Sequence, residues 1–520
     1  MSINPELRRR SVLTGATALA AAPAVIGARA EAAAMPRDLT VAVPDNLVTL
    51  DPADANDTLS QGSCRLMLEG LYGFDENMKI IPKLATGYKA NAMATEFTFT
   101  LHQGVKFHDG TPFNAEAVKI NLERIANPAN HLKRQSLLSV LDHVEVVNEH
   151  TAKVVLKTPF GAFIPTVAHP ALALSSPAAI KKYGKDLGRN PVGTGPFIFT
   201  SWTPDTLKVH ASPHYWVKGL PHMRTVTIRS VPENGSRLAM LQTGEAQYIF
   251  PMPPELVATI AHNPKITLVN RQSIIIHGAA MNTMKKPFND VRVRQALNYA
   301  VDKEAFIKIV YNGYADQMDS PEPPLLSFYK KQGAWPYDVA KAKKLLAEAG
   351  YPNGFETEMW GANNTLVIRG MQFLQQQFAA VGVKLKVSPL EVGLLISKVY
   401  AAPNPQEATV QMNYGGWSSS TGDADWGLRP LFTKEAFPPK MFNVAYLDDP
   451  AVNKDIADGL HTADPKARAA AYADAQKRIW QDCPWVWLDI DRIVDARASN
   501  LQGAYRLPDG GLLLNDAHFA

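Results

Sequence analysis

Cysteine is scarce in this sequence. Its 520 residues include only two cysteines, Cys64 and Cys483. They lie too far apart for a CxxC metal or redox motif, and two cysteines cannot build a disulfide framework in a chain of this length. We expect both to be free thiols, and a single structural disulfide is the alternative.

An excess of charge of one sign is also missing. The 53 Lys and Arg residues against 49 Asp and Glu residues give a net charge of +4. Residues 1–30 hold four Arg and one Glu, which leaves 49 basic and 48 acidic residues, a net charge of +1, for the rest of the chain. This balance is not that of a basic nucleic-acid-binding domain, and we expect no nucleic-acid partner.

The common catalytic motifs are absent from the sequence. Residues 416–420 come nearest to the G-x-S-x-G nucleophile elbow, but the fifth residue is Ser420 rather than glycine. Residues 193–196 contain Gly-x-Gly followed by proline, which predicts a turn rather than a dinucleotide site, and there is no HExxH or P-loop. The 13 histidines are scattered singly. We therefore predict a protein that is not an enzyme and holds no metal or other cofactor.

Residues 1–34 have the order of a cleavable export signal. Arg8, Arg9 and Arg10 precede an Ala-rich apolar run over residues 12–26, and small residues follow it. The run is too short to span a bilayer, and no later stretch is long and apolar enough. The arginines resemble a twin-arginine signal, although Val12 stands where that motif prefers Phe, and general secretion is the alternative. We expect a soluble mature protein outside the cytoplasm.

Alternating helix and strand patterns predict a mixed α/β fold. Apolar residues recur at helical spacing after five capping positions: Asn114, Asn289 or Asp290, Asp302, Asp338 and Asp464. Residues 97–101 and 225–229 alternate between apolar and polar side chains, which predicts strands. The Pro-rich residues 320–324 predict a surface loop.

Two polar segments are candidates for a binding site. Residues 414–426 hold two Trp, four Ser or Thr, two Asp and three Gly, a composition suited to an aromatic-walled pocket for a peptide-like ligand. The alternative is a Gly/Ser loop packed by two core tryptophans. Residues 54–62 precede a helix predicted over residues 65–71, and here the alternative is a simple helix cap.

Several motifs, in order, resemble the extracytoplasmic solute-binding proteins of peptide and nickel ABC importers. They are residues 49–52 (TLDP), 69–71 (EGL), 105–113 (VKFHDGTPF), 191–197 (PVGTGPF), 287–288 (PF) and 291–297 (VRVRQAL). The resemblance covers essentially the whole mature chain. Residues 56–61, 128–134, 239–247 and 416–426 look most like the members of that family that bind glutathione.

The resemblance implies a two-lobed α/β periplasmic-binding-protein fold with a hinge of paired crossover strands and ligand enclosed between the lobes. It also implies an accessory domain in the first lobe. By motif, lobe I takes residues 35–72, 189–279 and 490–520, the accessory domain takes 73–188, and lobe II takes 280–489.

The resemblance further implies which residues contact the ligand. Peptides pair with backbone at the positions that match residues 416–418 and 60–62. Peptide-binding relatives carry an Asp for the ligand ammonium where this chain has Ser420, so either Asp423 or Asp425 replaces it or the ligand has no ammonium there. Arg134 is the candidate partner of a ligand carboxylate, and the alternative is a surface charge. The predicted ligand-binding residues are Thr58, Ser60, Gln61, Gly62, Arg134, Gly416, Trp417, Ser418, Ser420, Asp423 and Asp425.

The expected function is a periplasmic binding component of an ABC importer. Its ligand would be glutathione or a similar short peptide, because a γ-linked glutamate moves the ammonium away from its usual place. Its partners would be the transmembrane permease subunits, and we expect a monomer. A general di- or oligopeptide receptor is the alternative, and a secreted hydrolase is a weaker one.

Overall fold

The structure is a computed structural model that describes residues 37–402 and 404–520. The export signal predicted over residues 1–34 lies outside the described residues. Within the described ranges, no helix combines the length and the apolar character needed to cross a membrane.

The described residues form α-helices with the following bounds: α1 (Thr58–Cys64), α2 (Ala115–Ala126), α3 (Phe163–Ala168), α4 (Pro177–Tyr183), α5 (Asn234–Thr243), α6 (Val291–Tyr299), α7 (Lys303–Tyr311), α8 (Val339–Glu348), α9 (Thr365–Ala379), α10 (Val392–Tyr400), α11 (Ala424–Phe432), α12 (Pro450–Leu460) and α13 (Pro465–Asp482). Short 3-10 helices cover Pro128–Asn130, Gln135–Leu138, Pro170–Leu172, Gly184–Arg189, Pro254–Thr259 and Lys434–Ala436.

The strands of the same residues are β1 (Asp38–Val43), β2 (Tyr72–Phe74), β3 (Ile80–Pro82), β4 (Ala85–Ala90), β5 (Glu96–Leu101), β6 (Leu141–Asn148), β7 (Thr151–Leu156), β8 (Phe197–Trp202), β9 (Thr206–Ala211), β10 (Thr225–Ser230), β11 (Tyr248–Ile249), β12 (Ile266–Met281), β13 (Ala315–Gln317), β14 (Glu356–Ala362), β15 (Lys384–Leu390), β16 (Met412–Ser418), β17 (Trp485–Ala498), β18 (Leu501–Gln502), β19 (Tyr505–Arg506), β20 (Leu512–Leu513) and β21 (His518–Phe519).

Two long strands in the middle of the main sheet join its two halves. Among the described residues, eleven strands form this sheet in the order β15-β14-β16-β12-β17-β11-β1-β10-β9-β8, with β13 added beside β17. The antiparallel pair β12 and β17 changes register between Gln272 and Ile276 and again between His277 and Gly278. Such bulges bend a strand locally. Because β12 and β17 lie between the strands β15-β14-β16 and the strands β11-β1-β10-β9-β8, they form the crossover between the two halves of the sheet.

The helices predicted from apolar spacing begin directly after the capping residues that the sequence indicated. Asn114 accepts a hydrogen bond from the backbone of Ala117 at the start of α2, and Asp302 and Asp338 cap α7 and α8 in the same way. A side-chain oxygen at this position satisfies an N–H group that the helix leaves unpaired. The predictions for residues 97–101 and 225–229 are confirmed by β5 and β10.

The helix predicted over residues 65–71 is wrong. The helix α1 spans Thr58–Cys64 instead, because the Asp57 side chain accepts a hydrogen bond from the backbone N–H of Ser60 and starts it earlier. The following residues are drawn into other contacts, and Glu69 accepts hydrogen bonds from Tyr215 and Trp216. The polar segment at residues 54–62 therefore contains the cap and most of the helix rather than preceding it.

The surface loop predicted at residues 320–324 is also corrected by the structure. Ser320 and Glu322 are both buried; the Ser320 hydroxyl donates to Gln476 of α13, and a side chain added at Gly427 of α11 would collide with the Glu322 carboxyl group. Burial raises the pKa of Glu322 well above its ordinary value, and the nearby carboxylates of Asp423 and Asp425 raise it further. Residues 320–323 are therefore buried rather than part of a surface loop, and Pro324 alone of this cluster is exposed.

A separate four-stranded sheet has the order β4-β5-β7-β6, and α2 packs against it. Its apolar core continues to Trp426 at the start of α11. The domain limits predicted from the resemblance stay a prediction. The two cysteines are free thiols, as predicted, and both are buried.

Candidate ligand-binding site

A cavity of about 230 Å³ lies where α1 meets the end of β16. It is lined by Asn56, Thr58, Gln61, Gly62, Arg65, Arg134, Pro170, Gly416, Trp417, Ser418, Ser420, Trp426, Phe442, Asp509 and Gly511. The fold therefore brings together the two polar segments that the sequence singled out, although more than three hundred positions separate them along the chain.

Eight of the eleven predicted site residues line this cavity: Thr58, Gln61, Gly62, Arg134, Gly416, Trp417, Ser418 and Ser420. Sequence reasoning left out Arg65, although it follows Gly62 by three positions and so continues the same face of α1. It also left out Trp426, which belongs to the polar segment over residues 414–426. Pro170, Phe442 and Asp509 carry no local signal, since only tertiary folding brings them to the cavity.

The α1 wall is held by contacts that explain its residue types. Gln61 donates to the carbonyl of Ala55, and a Cβ atom on Gly62 would lie 2.9 Å from the backbone nitrogen of Leu512. Such a close approach of backbone to backbone requires glycine. Ser60 is buried, and its hydroxyl accepts a hydrogen bond from the backbone of Val48. Its side chain braces the wall instead of lining the cavity.

The β16 wall is aromatic. Trp417 lies in register with Ile276 of β12, and its indole Nε1 donates to the carbonyl of Trp426 over 2.8 Å. The ring centroid of Trp417 lies 5.0 Å from that of Phe442 and 5.9 Å from that of Trp426. The Trp417 side chain is half-buried, so part of its apolar surface is left for a ligand.

The charged groups that line the cavity are two arginines and one aspartate. Arg65 and Asp509 form a bidentate ion pair, with a shortest distance of 2.6 Å. Arg134 donates to the carbonyls of Ala55 and Asn56 and has no carboxylate within ion-pair distance among the described residues. Burial lowers the pKa of Arg134, but a guanidinium stays charged at neutral pH. The lining therefore carries a net charge of +1, and the carboxylate of Asp57, which lies outside the lining, acts to raise the pKa of Arg134.

The two predicted carboxylates do not line the cavity. Asp423 forms a buried ion pair with Arg468 at 2.8 Å, and Asp425 forms one with Arg429 at 2.9 Å. Asp423 also caps α11 through the backbone of Asp425. These contacts favour a structural role for both carboxylates over the ligand-ammonium contact that the sequence suggested, because a second cation would have to compete with an arginine already in place.

Ser420 reaches the cavity beside Pro170. Its hydroxyl oxygen lies 2.9 Å from Nε2 of His169. The Ser420 side chain is half-buried, whereas His169 is fully enclosed. The region therefore offers a ligand a hydroxyl, a guanidinium and aromatic surface, but no unpaired carboxylate.

The sequence matches a family model over residues 79–438, that of the bacterial extracellular solute-binding proteins, family 5 Middle. The chain belongs to this family of solute-binding proteins. The family predicted from the motifs is thereby confirmed.

Two relatives share nearly the full length of the chain. The glutathione-binding protein GsiB of Pectobacterium atrosepticum is 44% identical over 519 residues, which are 99% of this chain and 99% of the relative. The protein of the same name from Salmonella typhimurium is 44% identical over 500 residues, 95% of this chain and 98% of the relative.

Solved structures agree with the two-lobed α/β fold. HbpA2 from Haemophilus parasuis superposes with a TM-score of 0.82 at 28% identity, covering 93% of this chain and 100% of that protein. The periplasmic binding protein DppA from Helicobacter pylori, solved with the peptide STSA, gives a TM-score of 0.79 at 26% identity over 93% and 99% of the two chains. The predicted fold class is confirmed.

Proposed function

We propose that this chain is the periplasmic binding component of an ABC importer and captures glutathione in the cavity between α1 and β16. The ligand is then handed to transmembrane permease subunits. The proposal draws on the names of the relatives that are 44% identical over nearly the full length. It also draws on the charge of the cavity.

The observation that carries the choice of ligand is Arg134, which has no carboxylate at ion-pair distance among the described residues, in a lining without an unpaired carboxylate. Glutathione has two carboxylates and one ammonium group at neutral pH, so it carries one net negative charge. A guanidinium held in a partly desolvated site binds a carboxylate through charge-assisted hydrogen bonds. The residues at the cavity thus complement an anionic peptide better than a neutral one.

A general di- or oligopeptide receptor is the second candidate. The structural likeness to DppA, which was solved with a peptide, favours it. Backbone groups at Gly416 and Gly62 would serve any extended peptide, since main-chain pairing gives affinity without reading side chains.

The experiment that separates these candidates compares two isomers by titration calorimetry. Glutathione and the α-linked tripeptide Glu-Cys-Gly have the same atoms and the same net charge, and they differ in where the ammonium and the first carboxylate stand. We expect glutathione to bind at least about tenfold more tightly, equivalent to ~1.4 kcal/mol. Equal affinities would instead identify a general peptide receptor.

We propose binding without turnover. The cavity does place the Ser420 hydroxyl beside Nε2 of His169, but Nδ1 accepts the backbone N–H of Ala171, so a neutral ring carries its proton on Nε2 and is not a base toward Ser420. After prolonged incubation, mass spectrometry should recover glutathione intact. Steady formation of cysteinylglycine or glutamate would show a hydrolase.

A further inference from the structure

The hydrogen bond between His169 and Ser420 fixes where the imidazole proton lies. On the far side of the ring, Nδ1 lies 3.0 Å from the backbone nitrogen of Ala171. A backbone N–H can only donate, so Nδ1 accepts this bond. A neutral ring then carries its proton on Nε2, which lies 2.9 Å from the Ser420 hydroxyl oxygen.

The surroundings keep the ring neutral and correctly oriented. His169 is 1% exposed, and burial lowers its pKa well below the ordinary value, helped by the positive charges of Arg134 and Arg65. The ring also caps the 3-10 helix Pro170–Leu172, which holds its plane in place. The Nε2–H group of His169 is therefore a permanent donor to Ser420 at neutral pH.

The consequence concerns the proton of Ser420 itself. A hydroxyl has one proton to donate and two lone pairs that accept, and the bond from His169 already occupies one of the two lone pairs of Ser420. Among the described residues, Ser420 makes no other side-chain hydrogen bond. Since Ser420 lines the cavity, its own proton is available to an acceptor on a bound ligand.

We propose that His169 turns Ser420 into a hydrogen-bond donor toward the ligand, so that this position selects a carboxylate or carbonyl oxygen and disfavours an ammonium group. This rests on the proposed function, because it takes the cavity to be the ligand site. Ser420 is then the specificity-determining residue, and His169 is a positioning residue that acts through it. Together with Arg134, Ser420 makes this wall of the cavity a set of donors.

The tautomer can be tested without any ligand. In protein labelled with 15N-histidine, long-range proton–nitrogen correlation spectra distinguish a ring protonated at Nε2 from one protonated at Nδ1. The His169 signals, assigned by their loss in His169→Gln, should show protonation at Nε2. Protonation at Nδ1 would overturn the proposal.

The polarity of Ser420 can be tested by the sign of one substitution. Ser420→Asp replaces the donor with an obligate acceptor, and we expect it to weaken glutathione binding at least about tenfold. Ser420→Thr keeps the hydroxyl and should stay within about threefold of the wild type. Glutathione binding that tightens or stays unchanged in Ser420→Asp would mean that the position does not donate to this ligand.

The role of His169 can be tested by substitution and rescue. His169→Phe should weaken glutathione binding about three- to tenfold, and His169→Gln, whose amide can still donate to Ser420, should recover most of this loss. His210→Phe is the matched control, because His210 bonds the hydroxyl of Thr200 on an exposed strand pair. In a Ser420→Ala background, His169→Phe should cause no further loss.

An additive loss in that background would show that His169 acts only through packing, and it would overturn the proposal. The tests also separate this inference from the proposed function. If the wild type does not bind glutathione at all, the proposed function fails. The NMR measurement still shows which ring nitrogen of His169 carries the proton. If glutathione binds but Ser420→Asp leaves it unaffected, the inference alone fails.

Discussion

The cavity and the crossover strands treat charge in opposite ways. In the cavity, Arg134 donates only to backbone carbonyls and has no carboxylate partner among the described residues. On the crossover strands, His277 lies 3.3 Å from Asp489 and 3.6 Å from Asp491. The crossover strands therefore pair their charges within the fold, whereas the cavity has one cation that is available to a ligand.

The physical reason for the contrast is desolvation. A buried charge is costly unless a partner compensates it, and the crossover strands pair such groups within the chain. Arg506 forms an ion pair with the fully buried Asp495, and Arg492 forms one with Asp316. Arg134 is half-buried rather than enclosed, and the carbonyls of Ala55 and Asn56 accept its hydrogen bonds, so a guanidinium without a carboxylate partner is tolerated there.

The largest expected effect comes from removing the positive charge of Arg134 from the cavity. Arg134→Met removes this charge, and we expect glutathione binding to weaken by about 1.5–3 kcal/mol, the range for losing a hydrogen bond to a charged group. Lys133→Met is the matched control, since Lys133 is exposed and does not line the cavity. Titration calorimetry should show a large loss only for the first variant. Similar losses in both would mean that long-range charge, rather than contact, governs binding.

The second prediction removes the aromatic wall. Trp417→Ala should weaken glutathione binding by about 2 kcal/mol, because buried aromatic anchors contribute this much at binding sites. Trp202→Ala serves as the control, as Trp202 packs under Arg189 outside the cavity. Circular dichroism should show that both variants remain folded. Unchanged affinity in Trp417→Ala would place the ligand elsewhere.

The third prediction concerns the pH dependence of the crossover strands. Burial by itself lowers the pKa of His277, but the carboxylates of Asp491 and Asp489 outweigh it and raise the pKa from 6.5 to about 9. Between these values the folded protein binds more protons than the unfolded chain, so the free energy of unfolding falls as pH rises. We expect a loss of about 1–3 kcal/mol between pH 6.5 and pH 9.

Urea unfolding at a series of pH values measures this loss. Burial raises the pKa of Asp491 from 3.8 to about 6 although His277 acts to lower it, so that group titrates below the window. Tyr311 also faces His277, and its pKa is raised above the window by burial. In His277→Gln the slope over this interval should disappear. A slope that persists in the variant would assign it to another group.

The smallest expected effect lies where the two regions touch. A Cβ atom on Gly416 would lie 2.6 Å from Cδ2 of His277, whereas one on Gly415 would lie 3.4 Å from the Asn413 side chain. Gly416→Ala should therefore lower the free energy of unfolding by about 1–2 kcal/mol through overpacking, and Gly415→Ala by less. Equal losses in thermal unfolding would mean that the His277 ring moves aside freely.

Local sequence signals predicted the capped helices α2, α6, α7, α8 and α13 and the strands β5 and β10. Asn114, Asp302 and Asp338 each supply a side-chain oxygen to the first turn of a helix, and apolar spacing gives each helix a buried face. These effects act over a few residues, so they can be read directly. The helix predicted over residues 65–71 differs from the observed α1, because Asp57 caps a helix that already begins at Thr58 and ends at Cys64.

The two polar segments, Arg134 and Ser420 can be identified as candidate site residues from the sequence alone. The groups that surround these residues depend on the tertiary structure. Asp423 and Asp425 look like ligand carboxylates in the sequence, but arginines that lie 45 and 4 positions away neutralise them. His169 gave no local signal, since its partner Ser420 lies 251 positions away. Hydrogen bonds and ion pairs depend on distance in space, and a linear pattern does not contain that distance.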